Sequence, residues 1–291
     1  MTKRHNRFVR FLWGLGLVLA LCAASFALLA VSLPNRGATP EEISRLLPGD
    51  GMVSHPILVW NHAVTLSASP EQVWPWLIQM GDSRGGYYSY SFIQNLMSGQ
   101  RLYINADSIY PEWQTPQPWQ GMVLDYLVVE DYRANSYLLA AATPKALGFQ
   151  WSLVFHLTPL DATHTRLLVR HRIAFPQSLN QSAWLGQVAT LTGYVMEKGM
   201  FEGLRRRVEG QNLLSYQEGL EIFLWLAMLA AGITAAVLFV RRIDWRMPLL
   251  LGLAALGCLF LFTYMQPAIW LRGLLDGLML TLVILTAAHK I

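Results

Sequence analysis

Three long stretches without a charged residue limit what this chain can fold into more than any other feature. They are Phe11–Leu33, Ile222–Val240 and Met247–Leu271. A helix that crosses a bilayer needs roughly 20 apolar residues, so each stretch is long enough to span a membrane. Only 14% of the chain is charged, against about 25% in a typical soluble protein, and the deficit lies mainly in these stretches.

The last stretch is better divided at Pro267. Proline is tolerated at the start of a helix but not in its interior, so we predict spans over Met247–Met265 and Ala268–Ala288. The second of these carries Arg272 and Asp276 in its first turns, four residues apart on one helix face. We expect them to pair near the lipid headgroups. An intramembrane site is the alternative, because charges at depth in a bilayer are costly.

Basic residues beside the spans indicate their orientation. A four-span topology puts three basic clusters on one side of the membrane: Lys3, Arg4, Arg7 and Arg10; Arg241, Arg242 and Arg246; and Lys290. The positive-inside rule makes that side cytoplasmic. The first stretch exceeds the apolar part of a signal peptide, about 7–15 residues, so we expect an uncleaved anchor. The prediction is a multi-pass protein of the cell membrane with both termini in the cytoplasm and the segment Pro34–Glu221 on the extracytoplasmic side.

The residues between the first two spans are enough for one domain. We predict a strand over Ile57–Leu66, a helix that opens at Ser69, several strands within 123–175 and a long helix over Ser182–Gln211. Late in the chain, apolar residues alternate with Arg166, Arg170 and Arg172, which is typical of a sheet with one apolar face and one wet face. The predicted organisation is an N-terminus with the first span (1–33), a linker (34–56), a folded domain (57–213) and three further spans (214–291).

Four strings in this region resemble the START-like superfamily, also called SRPBCC or the polyketide cyclase and lipid-transport group, and in particular a membrane-anchored bacterial branch. They are PEQVWPWLIQMG, RGGYYSY, INADSIYPEWQ and TRLLVRHR, in this order between Pro70 and Arg172. The resemblance implies an α+β helix-grip fold, in which a curved antiparallel sheet wraps a long C-terminal helix and leaves a cavity between them. The superfamily includes lipid carriers, aromatic polyketide cyclases and ligand sensors, so the resemblance implies the fold more strongly than the function.

Strand parity and the helix-grip resemblance predict which residues meet a ligand. The cavity wall is expected to consist of Trp151, Leu153, Phe155, Val169 and His171 on the strands, with Met196 and Met200 on the long helix. The two methionines belong to an apolar stripe that also includes Val188, Thr192 and Leu204. Tyr88, Tyr90 and Trp113 are expected near the cavity mouth, where an apolar ring with a polar tip is suited. For all of these residues the alternative is a packed core position.

Polar residues on the loops and strands predict a second cluster. Arg84, Asn105, Glu112 and Arg170 are expected to form a structural polar cluster in which Glu112 pairs with one of the two arginines. A catalytic acid or base role for Glu112 is the alternative. Neither a zinc-protease nor a phosphate-loop motif occurs, and both cysteines, Cys22 and Cys258, lie inside spans. We therefore expect no cofactor, no metal ion and no nucleic acid partner.

These observations predict a membrane-tethered protein that binds or transfers a hydrophobic ligand, lipid or isoprenoid-like, in an interior cavity. The expected partners are membrane lipids and a hydrophobic small molecule. One alternative is an accessory or structural subunit of a membrane protein complex. A cyclase-type enzyme acting on a hydrophobic substrate is the other, and it is less favoured because His171 and Glu112 are nearly the only acid–base candidates.

The predicted topology is tested by thiol labelling of whole cells. In a background that lacks Cys22 and Cys258, a cysteine introduced at Ser178 is expected to react with a membrane-impermeant maleimide, because the domain faces outward. A cysteine introduced at Arg242 is the matched control and should react only after the membrane is breached. Protection of the first position in intact cells would contradict the topology.

Overall fold

The computed structural model describes residues 2–117, 120–123, 126–146, 148–176, 183–211 and 216–288. Its residues fall into two compact units. One unit is Leu29–Leu213, and the other combines Met1–Leu28 with Leu214–Ile291. The α-helices of the described residues are α1 Thr2–Ser32, α2 Pro40–Ser44, α3 Pro70–Ile78, α4 Ser91–Ser98, α5 Ala183–Val208, α6 Gln217–Arg241, α7 Arg246–Phe260 and α8 Ile269–Ala288.

The unit Leu29–Leu213 is built on a curved, six-stranded antiparallel sheet. Its strands are β1 Leu58–Leu66, β2 Gly121–Val123, β3 Leu127–Arg133, β4 Tyr137–Ala142, β5 Gln150–Pro159 and β6 Thr165–Ala174. Their order across the sheet is β1-β6-β5-β4-β3-β2. The register of β3 shifts between Val129 and Asp131, and such bulges bend a strand and increase its twist. The predicted strands are confirmed, and β1 lies beside β6 although it is remote from it in sequence.

Local sequence signals account for the short helices before the sheet's later strands. At the start of α3, the backbone N–H of Ser69 donates to Oε1 of Gln72 at 2.9 Å, and Pro70 occupies the first helical position. Both features favour a helix start, because proline has no N–H to leave unpaired there. In α2 the reciprocal bonds between Thr39 and Glu42 form a capping box. The start of α3 agrees with the sequence prediction.

The long helix α5 packs against the curved sheet, and the cavity described below lies between them. This is the helix-grip arrangement that the sequence resemblance implies. Close packing against the preceding loop depends on Gly203, since a Cβ there would lie 1.8 Å from the carbonyl oxygen of Tyr88. Tyr88 itself has a φ of 56°, so the loop turns in the left-handed region at this contact.

The apolar stripe predicted along α5 holds only for its second half. Met200 and Leu204 are buried, whereas Val188 and Thr192 are exposed. A strict series of every fourth residue advances about 40° beyond a full turn at each step, so over four steps it moves to the opposite side of the helix. The buried positions instead follow the true helical period and are Gly186, Thr190, Tyr194, Glu197, Met200, Gly203 and Leu204.

The sheet face that bears the arginines is covered, which corrects the prediction of a wet face. Arg170 is 3% exposed and pairs with Asp50 at 2.7 Å. It also donates to Oδ1 of Asn61 and to the backbone carbonyls of Arg45 and Glu42. Segment 34–56, predicted as a linker, is therefore held against the sheet, because its carbonyl groups satisfy a buried guanidinium.

The second unit contains helices that are long and apolar enough to cross a membrane. These are Phe8–Ser32, Gln217–Arg241, Arg246–Met265 and Ile269–Ala288. The third ends in a π-helical turn over Leu261–Met265, and Gln266 follows with a left-handed φ of 46°. The division of the last apolar stretch at Pro267 is thus confirmed, with Pro267 between two helices.

Candidate ligand-binding cavity

A cavity of about 520 Å³ lies between α5 and the inner face of the sheet. Ligand pockets in proteins typically measure about 300–1,000 Å³ and are lined mainly by apolar side chains. The strands contribute apolar and aromatic side chains to the wall, which are Trp60, Val123, Trp151, Leu153, Phe155, Val169 and Ile173. Helix α5 contributes Ala189, Gly193, Met196, Glu197 and Met200. The size and lining are those of a site for a small hydrophobic molecule.

All seven residues predicted for the cavity wall from strand parity and helix position line this cavity. They are Trp151, Leu153, Phe155, Val169, His171, Met196 and Met200. Parity was a reliable guide here because successive side chains of a strand point to opposite faces. No ligand contact tests their role, so binding by them remains a prediction.

The structure does not bring Tyr88, Tyr90 or Trp113 to the cavity wall. Tyr88 is buried beside it, where its hydroxyl donates to the carbonyl oxygen of Trp76 at 2.7 Å. The guanidinium of Arg207 lies 4.4 Å from the centre of the Tyr88 ring. Burial raises the pKa of the Tyr88 hydroxyl, an effect that exceeds the opposing hydrogen bonding and neighbouring positive charge. The tyrosines that line the cavity are instead Tyr87 and Tyr103.

The residues predicted as a polar cluster occupy three separate places. Arg84 donates to Oε1 of Gln120 and to the carbonyl oxygen of Trp113, each at 2.6 Å, and Asn105 donates to the carbonyl oxygen of Ser89. Glu112 is exposed. Arg170 lies on the outer face of the sheet with Asp50, as described above. Arg84 therefore fixes the loop through neutral carbonyl acceptors, and the expected pairing of Glu112 with an arginine does not occur among the described residues.

One polar cluster interrupts the apolar wall, and it joins three elements. Oε2 of Glu197 on α5 lies 2.9 Å from Nδ1 of His62 on β1 and 3.2 Å from Nε2 of His171 on β6. The far nitrogen of His62 contacts the carbonyl oxygen of Leu33 at 2.9 Å, and Trp151 donates to Nδ1 of His171 at 3.1 Å. Glu197 is 7% exposed and His62 is 1% exposed.

The hydrogen-bond partners assign the protons in this cluster. An indole N–H can only donate, so Nδ1 of His171 accepts from Trp151 and the proton of His171 lies on Nε2, facing Glu197. A carbonyl can only accept, so Nε2 of His62 carries a proton that it donates to Leu33. With an ionised Glu197, His62 donates from Nδ1 as well and is an imidazolium, while His171 is neutral. The cluster is then an ion pair with no net charge.

The electrostatics of the cluster keep both Glu197 and His62 charged. Burial by itself would raise the pKa of Glu197, but the electrostatic attraction of His62 and His171 and the hydrogen bonds from both histidines outweigh it and lower the pKa to about 2. For His62, burial acts to lower the pKa, and the attraction and hydrogen bond of Glu197 outweigh it and raise the pKa. Each partner therefore keeps the other charged in an environment that opposes both charges.

Sequence analysis identified His171 but missed His62 and Glu197. The signals were present. His62 lies two residues from Trp60, and in a strand both point to the same face. Glu197 lies three residues before the buried Met200, which is a neighbouring position on one helix face. What the sequence could not supply is the pairing of β1 with β6, which sets Trp60 opposite His171 and places His62 one step along the same face.

The unit that contains the apolar helices holds a second buried polar group, and its pairing differs from the predicted one. Arg272 pairs with Oε2 of Glu221 on α6 at 3.3 Å and donates to the carbonyl oxygen of Pro267. Arg272 and Asp276 are both buried, and neither carboxylate oxygen of Asp276 has a hydrogen-bond partner among the described residues. The predicted Arg272–Asp276 pair is therefore wrong, because α6 offers Arg272 a carboxylate across the helix interface.

Solved proteins resemble this structure at low sequence identity. A protein from Mesorhizobium loti is 18% identical, with 53% of this chain and 99% of that chain covered and a TM-score of 0.29. The Zhui aromatase/cyclase from Streptomyces sp. R1128 is 14% identical, with 53% and 98% covered and a TM-score of 0.23. A conserved protein from Geobacillus kaustophilus is 14% identical, with 53% and 96% covered and a TM-score of 0.28. The sequence matches no family model and none of the curated proteins.

The Glu197–His62 pair predicts a bell-shaped contribution to stability with pH. Glu197 has a lowered pKa, so its contribution is complete above its unfolded value of 4.5 and is lost as the pH falls toward 2. His62 has a raised pKa, so its contribution is complete below its unfolded value of 6.5 and is lost as the pH rises through the folded value. The difference in melting temperature between wild type and Glu197→Gln should therefore be largest between pH 4.5 and 6.5.

Titrating groups that do not interact with Glu197 cancel in that difference, because both proteins carry them. An example is the exposed Asp161, whose pKa hydrogen bonding lowers to about 2. A difference in melting temperature that stays constant from pH 4 to 8 would show that the buried pair is not ionised.

Substitutions of the two buried charges in α8 should have opposite effects on stability. Arg272→Leu leaves Glu221 without its partner and is expected to destabilise the protein by about 3–5 kcal/mol, as for other broken buried pairs. Asp276→Leu removes a buried carboxylate that has no partner and is expected to be neutral or stabilising. Thermal unfolding of both variants in the same detergent measures whether each substitution lowers or raises the stability of the protein. Loss of folded protein in Asp276→Leu would indicate an essential contact of this carboxyl.

Proposed function

We propose that this protein is a membrane-tethered binding protein for a hydrophobic small molecule, which it holds between α5 and the sheet. The observation that supports this most is the cavity of about 520 Å³, whose wall is mostly apolar and carries a buried, hydrogen-bonded polar cluster. A role in which side chains fill the interior would not need such a space, since protein cores normally pack with few voids larger than a water molecule.

Binding in such a cavity derives its free energy from removing apolar surface from water. Each Å² of buried apolar surface contributes about 25 cal/mol, and the aromatic wall provides large contact areas at Trp60, Trp151 and Phe155. A small number of polar groups then orients the ligand, as in most small-molecule sites. The membrane spans keep the domain at a bilayer, which raises the effective concentration of any ligand that dissolves in lipid.

A cyclase-type enzyme is the second candidate, because the Glu197 cluster adds acid–base groups that the sequence did not reveal. The protonation of the cluster weighs against catalysis. An efficient general base has a pKa near the working pH, whereas the two histidines hold the pKa of Glu197 at about 2. Such a carboxylate is a strong hydrogen-bond acceptor and a weak base, so it is better suited to binding a ligand than to removing its proton.

Filling the cavity tests the proposed function directly. Met200 is 3% exposed and lines the cavity, so Met200→Trp should occupy the binding space and abolish retention of co-purifying hydrophobic molecules. Overpacking of this kind typically costs about 1–3 kcal/mol, which most domains tolerate. The measurement is native mass spectrometry of the full chain released from mild detergent.

Val188→Trp is the matched control on the same helix. Val188 is 43% exposed and does not line the cavity, so this variant should retain the wild-type amount of ligand. If Met200→Trp folds and retains the same ligand in the same amount, the binding site lies elsewhere and the proposed function of this cavity is wrong.

A further inference from the structure

Only one of the two carboxylate oxygens of Glu197 has hydrogen-bond partners. Oε2 is close to both histidines, whereas Oε1 is buried and has no hydrogen-bond partner within the described part of the chain. The residue lines the cavity with 93% of its surface buried, as follows from its 7% exposure. A buried carboxylate oxygen without a donor loses its hydration and gains nothing in return. This oxygen is therefore an unsatisfied acceptor on a residue of the cavity wall.

A second acceptor on the same wall also lacks a partner. Gln94 of α4 lines the cavity, and its Oε1 has no hydrogen bond among the described residues. Three donors on the wall, in contrast, are already used within the protein. They are Trp60 Nε1, Trp151 Nε1 and the Tyr87 hydroxyl, which donate to Thr190, His171 and Met122. The polar part of the wall thus favours an occupant that donates hydrogen bonds over one that only accepts them.

Charge balance narrows the class of occupant further. The imidazolium of His62 neutralises the carboxylate of Glu197, so the cluster has no net charge. An incoming carboxylate or phosphate would be repelled by the negative charge of Glu197. A protonated amine would add an uncompensated positive charge to an apolar cavity, which is costly. A neutral hydroxyl donates to Oε1 and leaves the balance unchanged.

We propose that the cavity binds a neutral alcohol with a large apolar body, and that its hydroxyl donates a hydrogen bond to Oε1 of Glu197. This rests on the proposed function, because it assigns the polar end of the ligand in the same cavity. His62 and His171 act as positioning residues: they hold Oε2, so the carboxylate is fixed with Oε1 free for the ligand. The apolar body packs against Trp151, Phe155 and Met200.

Matched photoactivatable probes test this on the unmodified full chain. One probe is a long-chain primary alcohol with a diazirine in its alkyl chain, the second is its methyl ether and the third is the corresponding carboxylic acid. The ether keeps the length and the oxygen but has no donor. After irradiation in the same detergent, mass spectrometry of peptides from β5, β6 and α5 quantifies labelling of the cavity. We expect the alcohol to bind at least about tenfold more tightly than the ether or the acid, as for a hydrogen bond to a charged acceptor.

The outcomes separate this inference from the proposed function. Equal labelling by alcohol and ether would overturn the alcohol assignment while leaving hydrophobic binding in place. Stronger labelling by the acid would also overturn it. If no probe labels the cavity peptides, the proposed function itself fails, and the inference fails with it.

A pair of variants locates the preference at Glu197. Glu197→Gln removes the charge and should reduce the preference for alcohol over ether to less than about threefold, while the ether still labels the cavity. Thr192→Val on the exposed side of α5 removes a hydroxyl that does not line the cavity and should leave the preference unchanged. A full preference retained in Glu197→Gln, in a variant that still labels with both probes, would contradict the assignment.

Discussion

The buried pair of Glu197 and His62 connects three parts of the domain that are far apart in sequence. It links α5 to β1. Nε2 of His62 also contacts the carbonyl oxygen of Leu33, which lies near the N-terminal end of the domain. Burying two charges is costly unless they pair and their remaining hydrogen-bonding groups are satisfied. Every nitrogen of the two histidines has a partner, and only Oε1 of Glu197 lacks one. The place where this network is incomplete is the wall of the cavity.

Strand β6 carries two different polar systems, one on each face. His171 points inward and contributes to the cluster at the cavity, whereas Arg170 points outward and binds segment 34–56. Alternation along a strand separates them by one residue. On the outer face, Arg170 holds segment 34–56 against the sheet through an ion pair and several carbonyl groups. On the inner face, His171 binds Glu197, a cavity-lining residue with one unpaired carboxylate oxygen. The same strand thus contributes to the stability of the domain on one side and to a binding site on the other.

Much of the fold was predictable, because its signals are local. The capping residues of α3, the alternation in β5 and β6 and the lengths of the apolar stretches are properties of neighbouring residues, and each gave the correct element. Strand parity gave the five wall residues on β5 and β6, and the helical stripe gave Met196 and Met200. The errors concern residues whose burial is set by how the elements pack together. The i+4 stripe on α5 drifted away from the buried face, and the outer arginines were expected in water.

The candidate site required the tertiary structure. The sequence by itself determined that the chain has long apolar helices, a sheet with one apolar face and a long helix after it, because these follow from hydrophobic periodicity. Only the fold decided that His62, His171 and Glu197 meet, since they lie on β1, β6 and α5, and nothing local specifies that β1 pairs with β6. Likewise, Arg272 pairs with Glu221 rather than with Asp276 because a neighbouring helix presents its carboxylate at a distance that sequence spacing does not encode.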